Sequence, residues 1–230
     1  MSLKFWWVLS VLAIFSCSTK SGSERDSAHP AQEFYASGDA IKGKGLFTTC
    51  TACHGDKGQG SVQFHAPALV NNEPWYLYRQ LMNFRNGIRG GDASMDTLGF
   101  QMAAMAKTLP DSNGVADVVA YIMSLPSTQT AAAIAGDIKK GERTYQSICG
   151  SCHGQAGKGN KLMNAPRLNG LEDWYLKGQI SKFKNSIRGS HPKDLYGAQM
   201  IPMVSTLRDG QVINDVVAYI LSANQLDSIQ

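Results

Sequence analysis

The sequence predicts an all-α protein made of two small domains in tandem, and three observations carry that prediction. A pentapeptide of the form C-x-x-C-H occurs twice, as Cys50-Thr51-Ala52-Cys53-His54 and Cys149-Gly150-Ser151-Cys152-His153. Four other segments recur in the same order in both halves: Gly38-Asp39 and Gly136-Asp137, Trp75-Tyr76-Leu77 and Trp174-Tyr175-Leu176, Ile88-Arg89-Gly90 and Ile187-Arg188-Gly189, and the six residues from Asp117 and from Asp215. Apolar residues fall at helical spacing, and no segment sustains the alternation of a strand. A chain of 230 residues is long enough for two such units.

Residues 1–17 read as a signal peptide. Lys4 supplies the positive start, and the apolar run from Phe5 to Phe15 is too short to span a bilayer. Ile14-Phe15-Ser16-Cys17 resembles a bacterial lipoprotein box, so Cys17 is the expected lipid anchor and residues 18–33 a polar tether. Ordinary cleavage near Ser18–Ser23 is the alternative. Both place the protein outside the cytoplasmic membrane, and the first places it in the periplasm attached to a membrane.

The first domain is expected over residues 34–126. Gly43 and Phe47 begin a helix that runs into the first motif. The two thiols of C-x-x-C-H add across the vinyl groups of a haem, and the adjacent His reaches the iron, so each motif predicts one covalent haem c. Zinc or a redox dithiol would also suit a lone C-x-x-C. Here both copies end in His, both are followed by Gly (Gly55, Gly154), and they lie 99 residues apart. Cys50, Cys53, Cys149 and Cys152 are therefore the thioether candidates, and His54 and His153 the iron ligands. A second helix begins at Pro74, with Leu77, Leu81 and Phe84 on one face. Two methionines, Met102 and Met105, follow. A last helix carries Val115, Val118, Val119 and Ile122 at core spacing, with Asp111 or Ser112 as its cap.

A linker over 127–134 leads to the second domain, 135–230. There Gly141 and Tyr145, then Leu176, Ile180 and Phe183, then Met200 and Met203, and then Ile213, Val216, Val217 and Ile220 repeat the pattern, with Asp209 as cap. Phe47 with Tyr121, and Tyr145 with Tyr219, are expected to join first and last helices. Trp75, Tyr76, Trp174 and Tyr175 suit packing at the haem edge. Arg89 and Arg188 are candidates to neutralise haem propionates, a solvated helix end being the other reading. His65 and His191 are expected on surface loops.

A sixth ligand closes the iron to small molecules. Methionine is a soft, neutral donor that favours ferrous iron, and two pairs stand in equivalent places, Met102 with Met105 and Met200 with Met203. One of each pair is expected to be a core filler.

The succession C-x-x-C-H, Ala-Pro-x-Leu (Ala66-Pro67-Ala68-Leu69 and Ala165-Pro166-Arg167-Leu168), Met and a helix ending Ala-Tyr-Ile resembles class I cytochrome c. The tandem arrangement resembles the two-haem cytochrome c4 family from residue 38 to 222. That resemblance implies two class I cytochrome c domains, each a helical bundle around one haem. It implies Met102 and Met200 as ligands, since the family's Met lies about seven residues before the Leu that leads into the last helix, here Leu109 and Leu207. It also implies that the carbonyls of Pro67 and Pro166 hold the ligating histidines.

The expected function is electron transfer in the periplasm between a quinol-oxidising complex and a terminal oxidase or other respiratory acceptor, without catalytic residues. A haem enzyme, such as a dihaem peroxidase or a sulfur-compound dehydrogenase, is the alternative; the equivalent methionines of both repeats speak against it. The net charge of +4 comes without runs of like charge or basic–aromatic interleaving, so nucleic acid is not expected as a partner. Lys+Arg outnumber Asp+Glu in the second domain only. An acidic redox partner is therefore expected near Lys177, Lys182, Lys184 and Arg188, with a solvated helix face as the alternative.

Overall fold

The computed structural model describes residues 35–128 and 133–227; the signal peptide, the tether with Cys17 and the middle of the linker lie outside the described residues. The first half contains α1 (Ala40–His54), α2 (Pro74–Arg85), α3 (Thr97–Ala106) and α4 (Ser112–Ser124). The second contains α5 (Ile138–Ile148), α6 (Gly150–His153), α7 (Asp173–Lys184), α8 (Leu195–Ser205) and α9 (Gly210–Asp227). Among the described residues, extended pairing is confined to the isolated bridges Ser61–Ala66 and Asn160–Ala165.

In each half the first helix crosses the last, and a glycine decides how closely. A Cβ on Gly43 would lie 1.9 Å from the carbonyl oxygen of Asp117 on α4, and one on Gly141 would lie 1.9 Å from that of Asp215 on α9. The same aspartates use their side chains to hold the entry to the first helix, accepting from the amides of Asp39 at 2.7 Å and Asp137 at 2.8 Å. One turn on, Phe47 meets Tyr121 and Tyr145 meets Tyr219, with ring centroids 5.3 Å apart in both pairs. Val115, Val118, Val119 and Ile122 line the buried face of α4, and Ile213, Val216, Val217 and Ile220 that of α9. Asp111 caps α4 through Gly114, and Asp209 accepts from Val212 in the first turn of α9.

Two departures from the sequence-based expectations have physical causes. The first helix continues through the motif to His54, whereas α5 stops at Ile148 and the second motif lies on the separate turn α6. Gly150 stands where the first half has Thr51, and glycine weakens a helix at that point. The methionine segments, to which periodicity assigns no helix, form α3 and α8. Apolar residues surround both helices instead of following one stripe, and α8 contains Pro202. Their legible signal is the cap: Asp96 accepts from Gly99 at 2.8 Å and Asp194 from Gly197 at 3.0 Å.

The halves are tied together on both sides of the linker. Asn71 donates to the carbonyls of Thr128 and Gly170, each at 2.8 Å, so one amide joins the first half, the linker and the second half.

Candidate haem sites

His54 ends α1, and the chain then turns back beneath it through glycines with left-handed backbone. Gly60, at φ 81°, donates to the His54 carbonyl at 2.9 Å. A Cβ on Gly60 would lie 2.5 Å from the amide nitrogen of Ala68, so only glycine lets the returning strand of the loop approach. The return brings the Pro67 carbonyl to 2.8 Å from His54 Nδ1. The second half repeats this: Gly159 donates to the His153 carbonyl at 2.8 Å, and the Pro166 carbonyl lies 2.8 Å from His153 Nδ1.

A carbonyl oxygen can only accept, so Nδ1 carries the proton in both rings and Nε2 carries a lone pair. Burial holds His54 and His153 below the ordinary imidazole range, against a smaller opposing pull from the proline carbonyls. The neutral ring with Nε2 free is the form that binds a metal. His54 Nε2 is buried and has no hydrogen-bond partner, an arrangement that is costly unless something ligates it.

The sulfurs of Cys50 and Cys149 lie in desolvating surroundings, whereas Cys53 is exposed. Burial pushes the Cys50 and Cys149 thiols up to about 11, with the neighbouring Cys53 and Cys152 adding to the rise. A redox dithiol needs the opposite environment. Among the described residues, no three of His, Cys, Asp and Glu gather as a metal cage.

In the second half a mostly apolar cavity is lined by Cys149, Cys152, His153, Phe183, Met200 and Met203. Met200 also packs against the buried core around Tyr145 and Val217, while Met203 is 38% exposed. In the first half Met102 packs against Phe84, Ala103 and Ala106, and Met105 is 39% exposed.

Arg89 and Arg188 are both buried, which removes the reading of solvated helix ends. They meet between the halves around two glutamines. Arg89 donates to Gln80 at 2.7 Å and Gln179 at 2.8 Å; Arg188 donates to Gln179 at 2.8 Å, Gln80 at 3.0 Å and the Tyr76 hydroxyl at 2.8 Å. These hydrogen-bond partners are neutral, and Arg188 Nε is buried without one. Two buried guanidiniums call for anions, a charge that haem propionates would carry. The donor set therefore fits haem c. Trp75 and Tyr76 pack edge to face at 5.9 Å, as do Trp174 and Tyr175.

The basic cluster expected to dock an acidic partner does not form a free surface. Lys182 binds Asp96, Lys184 binds the carbonyls of Leu207 and Arg208, and Arg188 is buried, which leaves Lys177 exposed. His65 is exposed, with its ring 6.0 Å from Trp174 of the other half, and His191 accepts from the amide of Lys193. Sequence reasoning missed Gln80, Gln179, Glu73 and Glu172, although each pair recurs at the spacing of the motifs.

The family model described as Cytochrome c matches the chain twice, over residues 40–126 and 138–224. Cytochrome c4 of Thiocapsa roseopersicina is 32% identical over 155 residues, covering 64% of this chain and 74% of the relative. The thiosulfate dehydrogenase electron acceptor of Stutzerimonas stutzeri is 27% identical over 201 residues, covering 83% of this chain and 85% of the relative. The crystal structure of reduced recombinant cytochrome c4 from Pseudomonas stutzeri superposes with a TM-score of 0.60 at 26% identity, covering 80% of this chain and 97% of that one.

Proposed function

From the premise that the chain belongs to the cytochrome c family, in its two-haem cytochrome c4 branch, we propose that it is a periplasmic carrier of single electrons between a quinol-oxidising complex and a terminal oxidase or other respiratory acceptor. Its functional units are residues 34–126 and 135–230, joined by the linker 127–134. The haem iron supplies a one-electron ferric–ferrous change. Cys50, Cys53, Cys149 and Cys152 hold the two haems as thioethers. His54 and His153 bind iron through Nε2, with Pro67 and Pro166 fixing the tautomer and the ring orientation. Met102 and Met200, the members of each pair turned toward the core, complete the coordination and favour the ferrous state. Arg89 and Arg188 neutralise propionates. No residue is assigned a bond-making role.

The observation that carries this reading is the buried, unpartnered Nε2 of His54, a lone pair free for a metal, set in a repeat that supplies the same residues twice. The S. stutzeri relative, whose name makes it an acceptor of electrons, supports a carrier over a haem enzyme. Attachment to a membrane rests on Cys17, which lies outside the described residues; no described helix is long and apolar enough to cross a membrane. The purified protein should keep two haems per chain through acid-acetone extraction. Membranes that oxidise quinol should reduce it, membranes containing terminal oxidase should oxidise it, and the reduced form should not bind carbon monoxide rapidly. Rapid carbon monoxide binding, or turnover of peroxide or a sulfur compound, would replace the carrier by an enzyme.

A further inference from the structure

The peptide group that holds each ligand histidine is itself held by a carboxylate from the other half. The carbonyl of Pro67 accepts from His54 Nδ1 at 2.8 Å. The amide hydrogen of that same peptide unit belongs to Ala68 and is donated to Glu172 Oε1 at 2.7 Å. In the mirror arrangement, Pro166 accepts from His153 Nδ1 at 2.8 Å, and the amide of Arg167 donates to Glu73 Oε1 at 2.9 Å and Oε2 at 3.1 Å. Glu73 and Glu172 occupy the N-cap positions of α2 and α7, yet neither side chain caps its own helix. Both are turned across the boundary instead. The second half makes room for this at Gly159, where a Cβ would lie 2.6 Å from Glu73 Oε1. Glu172 Oε2 is buried without a partner, so its charge is directed into the interface and not into solvent.

We infer that Glu73 and Glu172 are positioning residues that set the reduction potential of the haem in the opposite half, through the Pro166–Arg167 and Pro67–Ala68 peptide units. Hydrogen bonds in a chain polarise one another, and one that ends on a carboxylate is stronger than one that ends on a neutral group. A carboxylate on the N–H side makes the carbonyl oxygen a better acceptor. The histidine Nδ1–H bond strengthens, the ring becomes more electron-rich at Nε2, and ferric iron is favoured. Direct attraction between the carboxylate and the ferric centre has the same sign. Each half thus lowers the potential of its neighbour, against the upward pull of the methionine.

This inference rests on the reading of His54 and His153 as iron ligands, and its test separates the two. In the full-length holoprotein at about pH 8, chosen well above the ordinary carboxyl range because burial raises both glutamates, Glu172→Gln keeps size and an acceptor oxygen but removes the charge. The first-half haem should become easier to reduce, its reduced-to-oxidised ratio at fixed potential rising about three- to tenfold, while the second-half haem stays within error. Glu73→Gln should do the reverse. The haems are told apart by nuclear Overhauser contacts to residues of their own half. Exchange of the Ala68 amide should quicken in Glu172→Gln, and that of Arg167 in Glu73→Gln, independently of any redox change. Asp173→Asn removes a neighbouring charge that does not touch the Ala68 amide and should move neither potential. A shift in the same half, or an equal shift from Asp173→Asn, would replace the inference by a general charge effect. Unmoved potentials with both haems attached and six-coordinate would overturn it and leave the carrier reading standing; absence of covalent haem from the unsubstituted protein would overturn that reading instead.

Discussion

Lys182 of α7 and Asp96 of the first half meet at 2.7 Å across the boundary between the domains. Asp96 Oδ1 also accepts from Gly99, so one oxygen caps α3, the helix that carries Met102, and anchors it to the other half. The counterpart of Lys182 in the repeat is Asn83, and the counterpart of Asp96 is Asp194. The ion pair therefore breaks the symmetry of the duplication. Removing the cation by Lys182→Met leaves a nearly buried carboxylate without its strongest partner, and should cost about 1–3 kcal/mol of stability. Lys177→Met, which removes an exposed charge from the same helix, should cost less than about 0.5 kcal/mol. Chemical denaturation of the holoprotein checks both.

The same pair predicts a pH dependence. Burial alone would raise the Asp96 carboxyl, but the hydrogen bonds from Lys182 and Gly99 outweigh it and hold the group below its ordinary 3.8. A carboxyl depressed on folding stabilises the folded state fully above its unfolded value, and that contribution is lost as pH falls through the folded one. The stability difference between the unsubstituted protein and Asp96→Asn should be constant above about pH 5 and shrink in more acidic solution. A difference that grows with acidity would contradict the assigned sign.

At the crossings of first and last helices, Gly43→Ala or Gly141→Ala places a methyl against a backbone carbonyl that has no rotamer by which to yield. Each should destabilise its own half by about 1–3 kcal/mol or more. Gly45→Ala, on the same helix with open space around it, should be neutral or slightly stabilising. Thermal melting followed at the haem absorption separates these outcomes.

Met102→Ala and Met200→Ala should each abolish the iron–sulfur charge-transfer band of one haem and open that iron to carbon monoxide. Met105→Ala and Met203→Ala, at positions more than a third exposed, should leave both bands in place. The reverse result would exchange the ligands within each pair.

Cys17→Ser should block lipid attachment and processing, so that the variant accumulates as a larger precursor that keeps its apolar leader. A mature form that begins beyond Cys17 would assign ordinary signal cleavage.

Much of this protein is determined by local sequence. C-x-x-C-H places two sulfurs and an imidazole on one turn whatever surrounds it, and its duplication announces two haems. The valines of α4 and their counterparts on α9 announce buried helix faces because helical spacing sorts apolar residues onto one side. Asp39, Asp111 and Asp137 sit where helices must begin, since only a short side-chain acceptor can reach back to the first free amides. The methionine helices were harder to read, because α3 and α8 are apolar all round and their caps lie at an unremarkable Asp. What only the tertiary structure decided lies between the halves. Lys182, Lys184 and Arg188 look like one basic face along the chain, yet folding commits them to Asp96, to helix-end carbonyls and to the Arg–Gln ring. Glu73 and Glu172 stand directly before their helices, yet each spends its carboxylate on a peptide about a hundred residues away in sequence. Charge and hydrogen-bonding capacity are written in the residue; the partner is set by which surfaces the two domains bury against each other, and no local pattern encodes that choice.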